Sequence, residues 1–266
     1  MENGLKLKEL VRESYGRIAE ENMQNTASCC CSGACCPSTE NIMREDYDGL
    51  NGYNPDADLG LGCGLPTNFA KIKKGDTVID LGSGAGNDCF VARAEVGENG
   101  KVIGIDFTPQ MIEKARGNVE KRGFTNIEFV HGDIENMPVN SDLADVVVSN
   151  CVLNLVPNKK AVFKEIYRVL KQNGHFSISD IVLIGDLPEK IKSVAEMYSG
   201  CVSGAIKKDE YLKFIEEAGF GNITIQKEKT IIIPDEELKN YLSENELETY
   251  KKNPDIIKSI TVYAEK

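Results

Sequence analysis

Apolar and polar positions change their period along this chain, and the changes outline its elements. Over residues 5–22, Leu7, Leu10, Val11, Tyr15, Ile18 and Ala19 return near one face at helical spacing, which predicts an amphipathic helix docked on something. From residue 76 short β-branched runs alternate with helical stretches: strand 76–81, helix 87–96, strand 101–106, a helix opening at Pro109 after Thr108, and strands 126–131 and 144–149. A helix over 159–170 carries Val162, Phe163, Ile166, Val169 and Leu170 on its core face, with Gly174 as its stop, and strand 175–182 follows. A helix near 188–198, one near 209–217 ended at Gly219, strand 222–232, helix 235–243 and strand 257–265 complete the pattern. Strands alternating with helices imply an α/β fold, a parallel sheet covered on both faces. The two late strands extend that sheet, with an antiparallel last strand as one arrangement.

The most informative stretch is Val78-Ile-Asp80-Leu-Gly82-Ser-Gly84-Ala-Gly86-Asn-Asp88, where a buried-type strand ends in a carboxylate and meets a glycine-rich turn before a helix. A dinucleotide fingerprint would need glycine where this chain has Asn87, and a carboxylate sits badly beside a pyrophosphate. It suits a cation. S-adenosylmethionine carries a sulfonium and an ammonium and no phosphate, so Asp80 points to that cofactor. Asp106 ends the next strand, where such folds bind ribose hydroxyls, with Phe107 beside it. Asp133 in His131-Gly-Asp-Ile134 is read either as an acceptor for an adenine amino group, with Ile134 over the ring, or as a loop cap. Asn150 lies at another strand end on the same rim. The alternative for the whole turn is a tight strand-to-helix connection with no ligand, and the second acid lowers its weight.

Charge and length narrow the classes. The 266 residues can bury a sizeable core, and the formal net charge of -11, with no basic cluster, argues against a nucleic-acid or anionic-membrane partner. No stretch approaches the ~20 apolar residues of a membrane span, and the charged, helix-like start has no leader pattern, so a cytoplasmic location is expected.

In such a compartment nine cysteines call for soft-metal binding, redox work or burial. Cys89 follows the glycine turn inside a helix and is read as buried and apolar, and His131 and His175 as structural. Cys29, Cys30, Cys31, Cys35 and Cys36 share a small-residue loop, read either as a poorly ordered tail or as a zinc knuckle. Cys31 and Cys35 have the ligand spacing, but no second pair follows at close range. Cys63 stands between Gly62 and Gly64, which suggests an exposed, adaptable backbone, Cys151 adjoins Asn150, and Cys201 lies among small residues in Ser199-Gly-Cys-Val-Ser-Gly204. Three such thiols make a poor zinc site and a good one for a soft three-coordinate centre such as trivalent arsenic.

With these motifs the chain resembles arsenite S-adenosylmethionine methyltransferases over nearly its whole length: Gly60-Leu-Gly-Cys63-Gly-Leu-Pro66, Ile79 to Asp88, Ser149-Asn-Cys151-Val-Leu-Asn-Leu155 and Gly200-Cys201-Val-Ser-Gly-Ala205. The resemblance implies a Rossmann-like methyltransferase fold with an inserted metalloid-binding segment. Its division would be a helix and thiol-rich loop over 1–45, a cofactor-binding domain over 46–182, and an arsenic-binding segment with a sheet-completing part over 183–266. It further implies that Cys151 and Cys201 hold the arsenic, that Cys63 joins them, and that Cys35 or Cys36 takes part in redox cycling, with the Cys29–Cys31 triplet able to substitute. Cofactor contacts would come from Asp80, Gly82, Gly84, Gly86, Asp106, Phe107, Asp133, Ile134 and Asn150. Methylation formally oxidises arsenic, so thiols would return the electrons as a disulfide reduced by thioredoxin or glutathione. Expected products are methylarsenite and, after a second transfer, dimethylarsenite. Two rivals remain: a methyltransferase acting on an organic small molecule, which has no use for the three thiols, and a thiol-based metalloid sensor, which has no use for the two-acid turn.

Overall fold

The computed structural model describes residues 2–25, 45–186, 202, 204–233, 235–240, 242–252 and 255–266. The thiol-rich loop with Cys29, Cys30, Cys31, Cys35 and Cys36, the helix expected near 188–198, and Cys201 lie outside the described residues. The amphipathic stretch at the start folds as α1 (Glu2–Asn25), with Val11 and Ala19 buried and Leu10 exposed. A short helix α2 (Pro66–Phe69) follows the loop of residues 45–65.

The β-branched runs form β1 (Thr77–Leu81), β2 (Lys101–Asp106), β3 (Ile127–His131) and β4 (Ala144–Asn150). With β5 (Leu170–Leu183), β6 (Gly221–Thr230) and β7 (Ile257–Glu265) they make one sheet in the order β3-β2-β1-β4-β5-β7-β6. The first five strands pair in parallel, and β7 runs antiparallel to both β5 and β6. Side chains alternate across the sheet as the pleat requires. Val78, Val102, Val146 and Val148 meet Cys89, Phe90, Ile112 and Ala115 of α3 (Asn87–Val96) and α4 (Pro109–Arg122). On the other face Ile79, Leu81, Val147 and Phe176 meet Phe163, Ile166, Tyr211 and Ile215 of α5 (Lys159–Val169) and α6 (Lys208–Glu217). A third cluster gathers Ile181, Leu183, Ile231, Leu238, Leu242 and Leu247 around Cys63 and Cys151, with α7 (Asp235–Leu238) and α8 (Glu244–Lys251).

Three boundaries differ from the sequence expectation. Helix α5 stops at Val169 and the chain turns directly into β5, because Leu170 is already extended at φ -69 and ψ 137. Gly174 is not its stop. The left-handed residue is Asn173, at φ 65, inside a bulge that shifts the register between Ala144 and Val146. The helix expected over 235–243 is only α7, which ends at Leu238, and α8 beyond it was not expected. Ser243 and Glu246 form a reciprocal cap there, with the Ser243 amide donating to Glu246 Oε2 at 2.9 Å and the Glu246 amide to Ser243 Oγ at 3.4 Å.

No helix among the described residues is long and apolar enough to cross a membrane. The order reverses at β1, whose neighbours are β2 and β4, and this is where an open α/β sheet leaves a crevice at the carboxyl ends of its strands.

Candidate active site

A cleft opens at that reversal, walled by the ends of β1, β2 and β4, by the loop of residues 45–65 and by α1. Asp80, Gly82, Gly84, Asp106, Phe107, Asp133, Ile134, Asn150 and Cys151 all line it. The turn after β1 takes its shape from glycine. Gly82 and Gly84 hold φ of 63 and 51, and a Cβ on Gly82 would lie 2.5 Å from the Val152 side chain. Gly86, expected to contact the cofactor, does not line the cleft and instead packs against the Phe129 ring.

The electrostatics of the cleft are carboxylic. Asp80 is 2% exposed and accepts the Cys89 thiol at 3.2 Å, so Cys89 is a hydrogen-bond donor as well as the buried residue the sequence suggested. Burial, then the Asp88 carboxylate, hold Asp80 well above the ordinary carboxylate range. Asp106 accepts the Gly84 amide at 2.9 Å and the Thr108 amide at 2.8 Å, and burial raises it despite these bonds. Burial lifts Asp88 to about 6. Ser83 Oγ and Asn87 Oδ1 stand in the same wall, buried and without a hydrogen-bond partner among the described residues. At the far end Asp133 accepts Lys8 Nζ of α1 at 2.5 Å and the Glu135 amide at 2.9 Å, and Lys8 also pairs with Glu135.

Sequence reasoning missed Asp88, Tyr47 and Lys8. Asp88 was within reach of it, lying in the first turn of the helix that follows the glycines. Tyr47 and Lys8 come from remote segments and leave no local signal. Asn150 gathers Asp88 and Tyr47: its Nδ2 donates to Tyr47 Oη at 2.6 Å, Gly64 O at 2.8 Å and Asp88 Oδ2 at 3.2 Å, and its Oδ1 accepts the Cys63 amide at 3.0 Å. The Tyr47 hydroxyl donates to Asp88 at 2.9 Å.

The backbone around Cys63 is therefore not exposed and adaptable. Cys63 is fully buried, its carbonyl accepts Ser259 Oγ at 2.7 Å, and its flanking glycines serve close approach. A Cβ on Gly62 would fall 2.6 Å from Asn150 Nδ2, and one on Gly64 2.4 Å from Ser179 Oγ. Cys151 is 3% exposed, lines the cleft, and holds a left-handed φ of 62 while its amide donates to Ser179 O at 2.8 Å. For a side chain with Cβ this conformation costs on the order of 1–3 kcal/mol, and such strain gathers at functional positions. Cys63 and Cys151 share their cluster with Leu155, Ala205 and Val202, the residue after Cys201 in the chain. Cys201 and Cys35 themselves lie outside the described residues. Among the described residues no group of three or more His, Cys, Asp or Glu side chains is arranged to hold a metal ion.

Residues 72–219 match the family of methyltransferase domains. The chain is 43% identical over 232 residues to the arsenite methyltransferase of Halobacterium salinarum, covering 82% of this chain and 58% of that protein. It is 31% identical over 245 residues to the arsenite methyltransferase of Aquipseudomonas alcaligenes, covering 89% of this chain and 68% of that one. The crystal structure of an arsenic(III) S-adenosylmethionine methyltransferase from Chlamydomonas reinhardtii matches with a TM-score of 0.65 and 32% identity, over 77% of this chain and 67% of that chain. The chain thus spans about three fifths of the length of the first curated relatives, 58% and 63%.

Proposed function

Since the chain belongs to the arsenite methyltransferase family, we propose that it moves methyl groups from S-adenosylmethionine onto trivalent arsenic held by cysteine thiolates. One observation carries the reading: a strained, nearly buried thiol, Cys151, lines the same cleft as Asp80, Asp88 and Asp106. An organic-acceptor methyltransferase has no use for that thiol.

The cleft fits the cofactor. Its carboxylates, Asp80, Asp88 and Asp106, are acceptors lining a space where a doubly cationic ligand would supply donors and positive charge. In the proposed arrangement Asp80 and Asp88 hold the cationic methionine end, Asp106 the ribose hydroxyls, and Asp133 with Ile134 the adenine. When bound, S-adenosylmethionine supplies an electrophilic methyl group on a positively charged sulfur.

On the other side of the reaction, thiolates displace hydroxides or small-thiol ligands from arsenite and leave the arsenic lone pair free to attack. Cys151, Cys63 and Cys201 form the proposed ligand set. The protein's task is positioning and exclusion of water, since two soft reactants meet without a general base. The apolar surroundings of Cys63 and Cys151, with Leu155, Ile181 and Val202, suit that task. Transfer raises arsenic from the trivalent to the pentavalent state, and two thiols return the electron pair by forming a disulfide. Cys35 with Cys63 is the proposed pair, reopened by thioredoxin or glutathione.

The test is arsenite-dependent transfer from methyl-labelled S-adenosylmethionine in excess reducing thiol, comparing the full chain with Cys151→Ser and Cys201→Ser. Methylated arsenic from the wild type alone, with cofactor binding kept by both variants, supports the reading. Transfer to an organic acceptor but not to arsenite would replace it.

A further inference from the structure

Behind the thiols lies a group of buried polar side chains that the proposed reaction leaves unused. Asp180, in β5, is fully buried. Its Oδ1 accepts the Asn154 amide at 2.9 Å and the Ile181 backbone amide at 3.0 Å, and its Oδ2 accepts the Tyr211 hydroxyl at 3.3 Å. The nearly buried Lys159 supplies the opposing charge. Asn154, 2% exposed, donates also to Ile181 O at 2.7 Å, and because both of its Nδ2 partners are acceptors its orientation is determined. Ile181, which follows Asp180 and whose carbonyl Asn154 holds, packs in the cluster that contains Cys63 and Cys151, which puts this network beside the two thiols.

Asn154 sits where three pieces of chain meet. It belongs to the 3-10 turn Leu153–Leu155 that follows Cys151. Its side chain is fastened to the end of β5. Its backbone oxygen faces Gly204 so closely that a Cβ on that glycine would lie 1.9 Å away. The chain beyond Gly204 is tied down as well, with the Leu183 amide donating to Ile206 O at 2.9 Å and Leu183 pairing with Lys207. Val202, between Cys201 and Gly204 in sequence, is buried in the cluster that holds Cys63 and Cys151.

We propose that Asn154 is a positioning residue for the thiol site. Anchored on Asp180 and the Ile181 carbonyl, it fixes the turn after Cys151 to β5, to which Leu183 also ties the chain at Ile206, and so sets where the Cys151 thiol stands against Cys63 in their shared cluster. A multi-thiol arsenic site tolerates misplacement of only about 0.5 Å, so a side-chain amide that fixes the turn next to Cys151 controls affinity without touching the ligand. The inference rests on the proposed function.

Its test measures, on the reduced full-length chain with Cys29, Cys30, Cys31, Cys35 and Cys36 replaced by Ser so that their vicinal thiols do not take up the probe, the Kd for phenylarsine oxide and the Kd for S-adenosylhomocysteine. The variants are Asn154→Ala, Asp180→Asn and Gly204→Ala. Asp180→Asn keeps the bonds from Asn154 and Ile181 at its amide oxygen, while it reverses the Tyr211 contact and removes the charge opposite Lys159, so it is the variant that spares the Asn154 anchor. Asn154→Ala should weaken phenylarsine oxide binding about tenfold or more. S-adenosylhomocysteine affinity should stay within about twofold, and Asp180→Asn should resemble the wild type. Gly204→Ala approaches the same contact from the other side and should reproduce the loss even if Asn154→Ala fails to fold. Wild-type arsenical affinity in Asn154→Ala or Gly204→Ala, or parallel loss of both ligands, overturns the inference. If wild-type binding of phenylarsine oxide survives Cys151→Ser, the proposed function itself falls, a result distinct from the failure of Asn154 alone.

Discussion

At Gly64 a single methyl group decides whether the thiol loop can close, since its Cβ would meet Ser179 Oγ at 2.4 Å and Ser179 Cβ at 2.6 Å. Gly64→Ala is expected to cost about 1–3 kcal/mol, read as a lowered denaturation midpoint, because both neighbours are buried and cannot withdraw. Asp80 is the matching position on the cofactor side. Its replacement by Asn keeps a partner for Cys89 but removes the charge, and cofactor binding should weaken roughly 10–100-fold by calorimetry, the range for a hydrogen bond to a charged group. These residues differ in how far the sequence exposed them. The place of Asp80, Gly82, Gly84 and Asp106 on the cleft was legible because strand, turn and helix follow one another within a few positions. Cys63 was located but its surroundings were misread. Flanking glycines look the same in sequence whether they give freedom or permit contact, and the contacts that decide, Asn150, Ser179 and Ser259, come from elsewhere in the chain.

Helix α1 shows the same limit at the next scale. Its apolar spacing announced an amphipathic helix and could not say what it covers. In the fold Lys8, Val11 and Tyr15 line the cleft, and the helix is held by Lys8 on Asp133 and Glu135 and by Gln110 on Glu20 at 3.3 Å. A helix fastened by a few half-exposed polar ties opens more easily than the sheet beneath it. Amide exchange in α1 should therefore slow on adding S-adenosylmethionine, while exchange in β1 and β4 stays unchanged. Exchange in α1 indifferent to the cofactor would mean that the helix does not close over it. Helix α8 was legible in principle, because Ser243-Glu-Asn-Glu246 is a capping box, but the expected helix was ended at Ser243 and none was read beyond it.

For the molecule as a whole, the buried acids give its stability a direction. Asp180 is raised to about 7 and Asp88 to about 6, and Asp80 and Asp106 are raised as well, so between pH 4 and 7 the folded chain binds more protons than the unfolded one. Their contribution to stability is complete below the unfolded carboxylate range and is lost as pH rises through these folded values. A cationic ligand acts oppositely, since it favours the ionised carboxylates. S-adenosylmethionine affinity should rise from pH 5 to pH 8, with its steepest part near the Asp88 value of about 6, and a titration by calorimetry at each pH would show it; a flat or falling profile would remove Asp80 and Asp88 from the cofactor site. The sheet's topology, by contrast, was only half visible in the sequence. Alternation gave the parallel strands, yet nothing local says that β7 lies between β5 and β6.

That placement matters when the chain is first made. Nine register pairs join β7 to β5, from His175 with Glu265 to Leu183 with Ile257, and β6 has no strand neighbour other than β7 among the described residues. On a translating ribosome the strands from β1 to β5 emerge early and can pair at once, while β6 must wait for β7. Until residues 257–265 clear the exit tunnel, β5 presents an open edge and the Cys63 carbonyl lacks its Ser259 partner, so the interval from the emergence of β5 to the insertion of β7 is when the thiols of Cys63 and Cys151 are open to oxidants and to any free arsenical.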